Sequence, residues 1–414
     1  MHERVRILGC AALAAPLLAT GCGGNARGDG ELVIAAWDDG RPQSAVDVAA
    51  RDFEKANPGV KVTVKKTPFD QHLQALRRQL GTGRAPDVAM TLLGYGESGT
   101  SRALADKGLL GDLTAESWAG RVPKQYRSVV GDGAKVYAFP IDLMAIGVFA
   151  KKGTPEPKTF SDVLARCRSA AADGKVAFAI AGHEDSKMPH IVGFALAAST
   201  VYADDPAQSE KRLKNQVTFA GTPGWVKAME RFTQMTDAGC FAKGVAGTTR
   251  EAAARGLGEG KAEMVVAPSA TLPLWQAAAP QATFTMFPFP GDDDPARVRV
   301  PAGPSSGLVV PAKAAAPVLA KRFIAHYAAH RARYAALDGA VPAIPAGAGR
   351  VPAYASALGP YVRDGRTSPV MDQHWPNPEL ITLFDAGLVK ILNGRSGPSD
   401  VLKSMDAAWT SKAP

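Results

Sequence analysis

The sequence predicts an α/β protein with two lobes, on the basis of three observations. Short apolar segments alternate with amphipathic segments of helical spacing, near the start of the chain and again after residue 145. This alternation is typical of a mainly parallel sheet covered by helices. The chain has 414 residues, which is too long for one ordinary domain. After residue 30, no apolar run approaches the roughly twenty residues that a membrane-spanning helix needs.

The predicted elements follow one another in a regular order. Leu32–Ala36 is predicted as a buried strand, and Ser44 is predicted to cap a helix that ends before Pro58 and Gly59. Alternating valines predict the next strand at 60–64. The remaining strands are predicted at 86–93, 146–150, 176–181, 262–268 and 283–289. The remaining helices are predicted at 73–81, 161–173, 188–199, 223–239, 249–258, 316–337, 378–393 and 398–410.

Residues 1–21 are predicted to be a signal peptide. Two arginines precede an apolar run at residues 7–18, and small residues stand just before Cys22. The stretch LLATGC resembles the lipobox of bacterial lipoproteins, in which the cysteine acquires lipid chains such as palmitate. An ordinary secretory signal with an incidental cysteine is the alternative. With a lipid at Cys22, residues 22–30 form a flexible tether on the outer face of the cell membrane.

The charge of the chain does not indicate nucleic-acid binding. Lys and Arg number 48 against 39 Asp and Glu, for a net charge of +9. The positive residues are scattered among negative ones, without a basic run or interleaved aromatic residues. A mixed, solvated surface is the better interpretation.

The cysteines and histidines predict no metal site and no cofactor. Of four cysteines, Cys10 leaves with the signal peptide and Cys22 carries lipid. Cys167 and Cys240 remain, and in an exported protein they form either a disulfide or two buried thiols. No CxxC pair is present, and the histidines are not expected to cluster.

Five segments carry a resemblance to a known family. In chain order they are FEKANPGVKVTV, QLGTGRAPDVAM, VYAFPIDLMAIGVFAKKG, GLGEGKAEMVVAPSA and ILNGRSGPSDVLKSM. Together they resemble the extracellular solute-binding proteins of carbohydrate ABC transporters, the family that includes maltose-binding protein. The resemblance implies a type II periplasmic-binding-protein-like fold, in which each lobe is a mixed, mainly parallel sheet flanked by helices.

The resemblance also implies how the chain is divided. Residues 31–142 with 291–344 are expected to form the N-terminal lobe, and 146–288 with 347–414 the C-terminal lobe. The hinge crossings are expected near 141–146, 286–291 and 341–347. A small ligand would bind between the lobes and be enclosed by hinge bending.

Carboxylates and aromatic rings at the carboxyl ends of strands are the expected ligand contacts. Carboxylates and amides bind sugar hydroxyls, and aromatic rings cover the apolar faces of sugars. The candidate residues are Trp37, Asp38, Asp39, Tyr95, Glu97, Asp142, Ser269, Trp275, Ser306 and Trp375. One residue of the loop at 183–185 is expected to join them.

Other roles are open for several of these residues. Trp37 could pack within its lobe while Asp38 and Asp39 cap the next helix. Asp142 could be a hinge residue bonded to backbone. Asp87 is expected to stabilise a turn rather than bind ligand. Trp118, Trp225 and Trp409 are expected to pack in the interior.

The predicted function is therefore a solute-binding lipoprotein of an ABC importer, without enzymatic activity. It would act as a monomer, capture a sugar or oligosaccharide and deliver it to permease subunits in the membrane. A glycerophosphodiester or polyol is the alternative ligand, for which Arg41 is the candidate cation. A glycan-processing enzyme that uses Asp38 and Asp142 is the alternative from another class, and an adhesin or sensor partner is a third.

Overall fold

The computed structural model describes residues 30–38, 43–184, 186, 188–346 and 351–410. The predicted signal peptide, the lipid site at Cys22 and the tether up to residue 29 lie outside the described residues, as do Asp39, Arg41 and Asp185. None of the helices in the described ranges is both long enough and apolar enough to cross a membrane.

The predicted strands and helices are present in the predicted order, but the helix predicted at 316–337 is divided into two at His330, and several shorter elements were not predicted. The strands are β1 (Glu31–Asp38), β2 (Lys61–Pro68), β3 (Val88–Leu92), β4 (Ala138–Pro140), β5 (Asp142–Lys151), β6 (Val176–Ala179), β7 (Ala262–Pro268), β8 (Phe284–Phe287), β9 (Val300–Pro304), β10 (Ser306–Val309), β11 (Val341–Pro342) and β12 (Thr367–Ser368). The α-helices are α1 (Ala45–Ala56), α2 (Phe69–Gly81), α3 (Ser101–Ala105), α4 (Arg127–Val130), α5 (Phe160–Ala172), α6 (Pro189–Thr200), α7 (Gln208–Leu213), α8 (Pro223–Asp237), α9 (Arg250–Gly258), α10 (Leu272–Ala278), α11 (Pro317–Ala329), α12 (Arg331–Leu337), α13 (Gly359–Arg363), α14 (Glu379–Leu392) and α15 (Pro398–Thr410). Short 3-10 helices include Ser269–Thr271, Ala353–Leu358 and Met371–His374.

The first sheet has the strand order β2-β1-β3-β10-β4. β1 pairs in parallel with β2 and β3, whereas β10 runs antiparallel to β3 and β4. The predicted cap of α1 is confirmed, because the Ser44 hydroxyl accepts from the Asp47 backbone N–H, and the Asp47 carboxylate accepts from the Ser44 N–H. The buried side chains of α1 include Val46, Ala49 and Phe53, and they fix this helix on the sheet.

The second sheet is built around the long strand β5. β5 pairs antiparallel with β7, β8, β9 and β11, while β6 is parallel to β7 and β12 is parallel to β9. The sheet is therefore mixed, as expected, but in this lobe its antiparallel pairings outnumber the parallel ones, so it is not mainly parallel. Because β5 arrives from the other lobe, it enters against the direction of its neighbours.

Two separate hydrophobic clusters support the division into two lobes. One contains residues of β1, α1, β3, β10 and α11, and the other contains residues of β5, β7, α5, α6, α8 and α14. The expected return to the first lobe at residue 291 differs from the structure. Asp292 is paired with Lys227 and Arg231 of α8, and β9 lies in the second sheet. We therefore place the crossing at Ser305, just before β10.

Cys167 and Cys240 form a disulfide, with their sulfur atoms 1.96 Å apart. Of the two arrangements that the sequence left open, the structure has the bridge. It connects α5 to the segment after α8, and both residues are fully buried in the second cluster.

Candidate ligand-binding site

Four strands of the first lobe have one of their ends at the same edge of its sheet. The carboxyl ends of β1 and β3 share this edge because the two strands are parallel. β10 begins there, since Ser306 lies opposite Leu92 at the end of β3. β4 ends there too, and leads directly to Asp142. The predicted residues Asp38, Tyr95, Glu97, Asp142 and Ser306 are thus brought to the same edge.

Asp142 and Ser306 are direct partners at this edge. The Ser306 hydroxyl donates to Asp142 Oδ1 at 2.6 Å, and the Ser306 backbone N–H donates to the same oxygen at 3.1 Å. Ser306 is buried and Asp142 is half-buried. These bonds agree with the alternative in which Asp142 is bonded to backbone at a crossing, and they hold its carboxylate at the sheet edge.

Trp37 and Phe69 form an aromatic pair beside this edge. Their ring centroids are 5.4 Å apart in an edge-to-face arrangement, and His72 contacts Trp37 at 5.6 Å in the same way. Trp37 is half-buried, while 42% of Phe69 is exposed. Phe69 is not among the residues predicted from the sequence, although its position directly after β2 places it at the carboxyl end of a parallel strand.

The loop after β3 is shaped by glycine. Gly94 and Gly96 have φ values of +77° and +83°, a conformation that favours glycine. The Tyr95 hydroxyl donates to Asp106 at 2.7 Å and accepts from Arg102 at 2.9 Å. Because these bonds remain within the first lobe, the tyrosine hydroxyl supports the loop rather than offering its proton to a ligand.

Ser269 lies at the corresponding end of the second lobe. It follows β7, and its hydroxyl accepts from the backbone N–H of Ala145 at 3.2 Å. The Tyr354 hydroxyl donates to the Ser269 carbonyl at 3.5 Å. Burial raises the pKa of Tyr354, and the charge of Asp142 adds to that rise. Tyr354, which was not predicted as a site residue, therefore lies near Ser269 of the second lobe and near Asp142 at the crossing.

The two lobes touch through the segment 371–374. The Tyr95 backbone N–H donates to the Gln373 carbonyl at 3.0 Å across the interface. Within the second lobe, Gln373 Nε2 donates to the Pro304 carbonyl at 2.6 Å. A side chain at Gly94 would collide with Gln373, because a Cβ there would lie 2.7 Å from the glutamine backbone oxygen. The loop of the first lobe and this segment therefore fit closely against each other.

The structure places two predicted ligand residues, Trp275 and Trp375, in the interior. Trp275 is 1% exposed, and its Nε1–H donates to the Thr271 hydroxyl at 2.8 Å. Trp375 is 3% exposed and packs edge-to-face against Phe194 and Phe219. Neither ring has an open face on which a sugar could stack, so both are core residues here. Trp118, Trp225 and Trp409 are buried, as expected.

Asp87 has the structural role that the sequence predicts. It is fully buried, and its two carboxylate oxygens accept from the backbone N–H groups of Val33 and Ala316 at 2.8 and 3.0 Å. In the loop at 183–185, the His183 N–H donates to the Thr248 carbonyl and Glu184 is exposed. These observations do not identify either His183 or Glu184 as a ligand contact.

The expectation that histidines do not cluster is wrong for one pair. His326 and His330, one turn apart at the end of α11, have ring centroids 4.5 Å apart. His326 Nε2 is hydrogen-bonded to the Tyr334 hydroxyl at 3.1 Å. Within the described ranges, no set of three His, Cys, Asp or Glu side chains is arranged to hold a metal ion.

Comparison with known families decides the class of protein. The model of the family described as "Bacterial extracellular solute-binding protein" matches residues 37–334, which is well over half of the chain. The chain therefore belongs to this family. It is a solute-binding protein and not an enzyme, as the sequence predicts.

Relatives of this solute-binding protein show the same architecture. The bacterial solute receptor AcbH, described as having an exclusive preference for β-D-galactopyranose, has a TM-score of 0.76 at 20% identity, covering 93% of this chain and 99% of that chain. RafE in complex with raffinose has a TM-score of 0.69 at 19% identity, covering 92% and 99%. A family 1 solute-binding protein of Bifidobacterium longum subsp. infantis has a TM-score of 0.70 at 18% identity, covering 92% and 99%. At these identities the likeness shows the fold alone.

One curated relative is similar in sequence over a shorter region. A probable sugar-binding periplasmic protein of Mesorhizobium japonicum is 30% identical over 158 residues, which are 35% of this chain and 37% of that protein. The match thus spans little more than a third of the relative's length.

Proposed function

We propose that this solute-binding protein captures a neutral sugar or oligosaccharide between its lobes and delivers it to an ABC permease. The observation that carries the proposal is the meeting of carboxylates and aromatic rings at one sheet edge. Asp38 and Asp142 provide acceptors for hydroxyl groups, and Trp37 with the exposed ring of Phe69 provides an apolar surface. This pairing matches the two kinds of surface that a sugar presents.

The relatives favour the same ligand class. AcbH is described with galactopyranose and RafE with raffinose, and the Mesorhizobium relative is named as sugar-binding. A glycerophosphodiester is the alternative ligand, and the acidic side chains at this edge disfavour it because an anion would be repelled there.

The proposed mechanism uses the crossings between the lobes. The N-terminal lobe comprises residues 31–142 with 306–344, and the C-terminal lobe comprises 146–304 with 351–410. The three connections run through Asp142, Ser305 and the end of β11. A ligand that contacts both lobes stabilises the closed arrangement by its differential affinity for it. In the cell, lipid at Cys22 would hold the protein on the outer face of the membrane, where the permease takes the solute.

The test is a thermal-shift screen of the mature protein with D-galactose, D-glucose, maltose, raffinose, sorbitol and glycerophosphocholine. A ligand that binds only the native state raises the melting temperature. We expect at least one of the four sugars to do so, and small-angle scattering with that sugar to show a smaller radius of gyration. A shift with glycerophosphocholine alone would contradict the proposal, as would no shift with any of the four sugars.

A further inference from the structure

Asp372 lies where the two lobes meet, in the 3-10 helix Met371–His374. Its neighbour Gln373 is bonded to the backbone of Tyr95 in the other lobe. A Cβ at Gly96 would lie 2.8 Å from Asp372 Oδ2. The carboxylate of Asp372 therefore lies directly beside the loop after β3. This loop is at the sheet edge where the first lobe presents Asp142 and Asp38.

The other oxygen of this carboxylate lacks a donor. Asp372 Oδ1 is buried, and within the described part of the chain it accepts no hydrogen bond. Burial raises the pKa of Asp372, the charge of His190 and the backbone N–H groups of Asp372 and Gln373 lower it, and the charge of Glu97 adds to the rise. A buried carboxylate oxygen without a donor is costly, so Asp372 Oδ1 is an acceptor that the described residues leave unfilled.

A second polar group is fixed close to Asp372. His190, at the start of α6, is bonded through Nδ1 to Asp385 Oδ1 at 3.0 Å, and its backbone N–H donates to the same oxygen at 3.0 Å. The ring packs edge-to-face on Phe194 at 5.2 Å. These contacts hold the imidazole in one orientation and leave Nε2 as its remaining polar atom.

We propose that Asp372 is a ligand-binding residue of the second lobe, whose Oδ1 accepts a hydrogen bond from a sugar hydroxyl. Together with Glu97 across the interface, it selects uncharged, hydroxyl-rich ligands over anionic ones. This inference rests on the proposed sugar-binding function. Asp372 would then be the ligand contact of the second lobe, a role that the sequence assigned to Trp275 and Trp375, which are buried in the core.

The test compares the mature protein with its Asp372→Asn variant, which keeps the shape of the side chain and removes its charge. Affinity is measured by calorimetry for each of the four sugars that raises the melting temperature of the wild type. We expect Asp372→Asn to weaken binding by tenfold or more, because a charge-assisted bond becomes a neutral one. Asp364→Asn, which changes an exposed carboxylate of the same lobe, should bind like the wild type.

A pH series of the wild-type protein gives a second measurement that does not depend on a variant. The charged groups around Asp372 are Glu97 from the first lobe, His190 from α6 and, behind it, Asp385 from α14. If Asp372 accepts the hydroxyl bond as a carboxylate, sugar affinity must fall as the pH drops through its raised pKa. Glu97→Gln should keep this fall, and Asp372→Asn should flatten it.

The outcomes separate the two proposals. Sugar binding by the wild type with equal affinity in Asp372→Asn would overturn the role of Asp372 and leave the proposed function standing. Wild-type affinity that stays constant down to about pH 3, which is below the ordinary pKa of an aspartate, would overturn it as well, even if the variant did not fold. The absence of any sugar binding by the wild type would overturn the proposed function and this inference with it.

Discussion

Asp142 and Ser306 are joined by two hydrogen bonds to one carboxylate oxygen, from the Ser306 hydroxyl and backbone N–H. Asp142 begins the strand that leaves the first lobe, and Ser306 begins the strand that returns to it. The pair therefore ties two of the crossings together at the sheet edge. Because both donors are on Oδ1, the carboxylate is held in a fixed orientation that a ligand can use.

Asp142→Ala is expected to weaken binding of any sugar that the wild type binds by about 1–3 kcal/mol, the usual cost of losing a partner at a buried polar contact. The measurement is calorimetric titration of the two proteins with the same sugar. Asp173→Ala, at an exposed position after α5, is the matched control. Equal affinities for Asp142→Ala and the wild type would remove Asp142 from the site.

Phe69→Ala is expected to lower sugar affinity by about 0.5–1.5 kcal/mol through loss of an aromatic surface, with little change in stability. The second expectation follows because Phe69 is 42% exposed. Calorimetry gives the affinity, and thermal unfolding without ligand gives the stability. Leu383→Ala, at a position 38% exposed on α14, controls for loss of exposed apolar surface. If both variants bind sugar alike, Phe69 is ordinary surface.

The order of elements could be predicted because it depends on local patterns. Ser44 with Asp47, the alternating valines of β2 and the leucines of α2 each define an element within about a dozen residues. The role of Asp87 also followed from its position before β3, at the end of the strand away from the site. The antiparallel pairing of β5 could not be predicted from local patterns, since it depends on which lobe the strand comes from.

The site was predicted less completely because burial depends on distant residues. Trp375 follows a loop and looks available to a ligand, yet Phe194, Phe219 and Trp225 enclose it from other parts of the chain. Asp372, three positions earlier, is the polar group at the interface. Only the three-dimensional arrangement distinguishes these two neighbours, since both residue types are common in sugar sites.

Replacing Cys167 and Cys240 by serine is expected to lower the free energy of unfolding by about 2–4 kcal/mol. The disulfide closes a loop with a sequence separation of 73 residues, and a bridge of this kind stabilises mainly by restricting the unfolded chain. Urea unfolding of the double variant and the wild type measures the difference. Sugar affinity should be retained, because neither residue lies at the sheet edge. Identical urea midpoints would show that the bridge contributes nothing to stability.

The buried carboxylate of Asp292 is held by positive side chains of the second lobe. Lys227 and Arg231 lie 3.0 and 3.1 Å from Asp292 Oδ2, and Arg297 Nε lies 3.4 Å away. Burial alone would raise the pKa of Asp292. The ion pairs with Arg231 and Lys227 outweigh it and hold the pKa of Asp292 well below its ordinary value.

Stability should therefore fall on acidification in a way that depends on Asp292. With its pKa lowered by folding, this carboxylate stabilises the native state fully above its ordinary pKa, and the contribution is lost as the pH falls toward the folded value. Asp292→Asn should be less stable than the wild type at pH 7 by about 3 kcal/mol, since buried Arg231 loses its partner charge. Urea unfolding from about pH 6 to about pH 2 should then show the gap between the two stability curves narrowing below the ordinary aspartate pKa. The curve of the exposed control Asp364→Asn should follow the wild type throughout, and a constant gap between Asp292→Asn and the wild type would mean that the pKa of Asp292 does not change on folding.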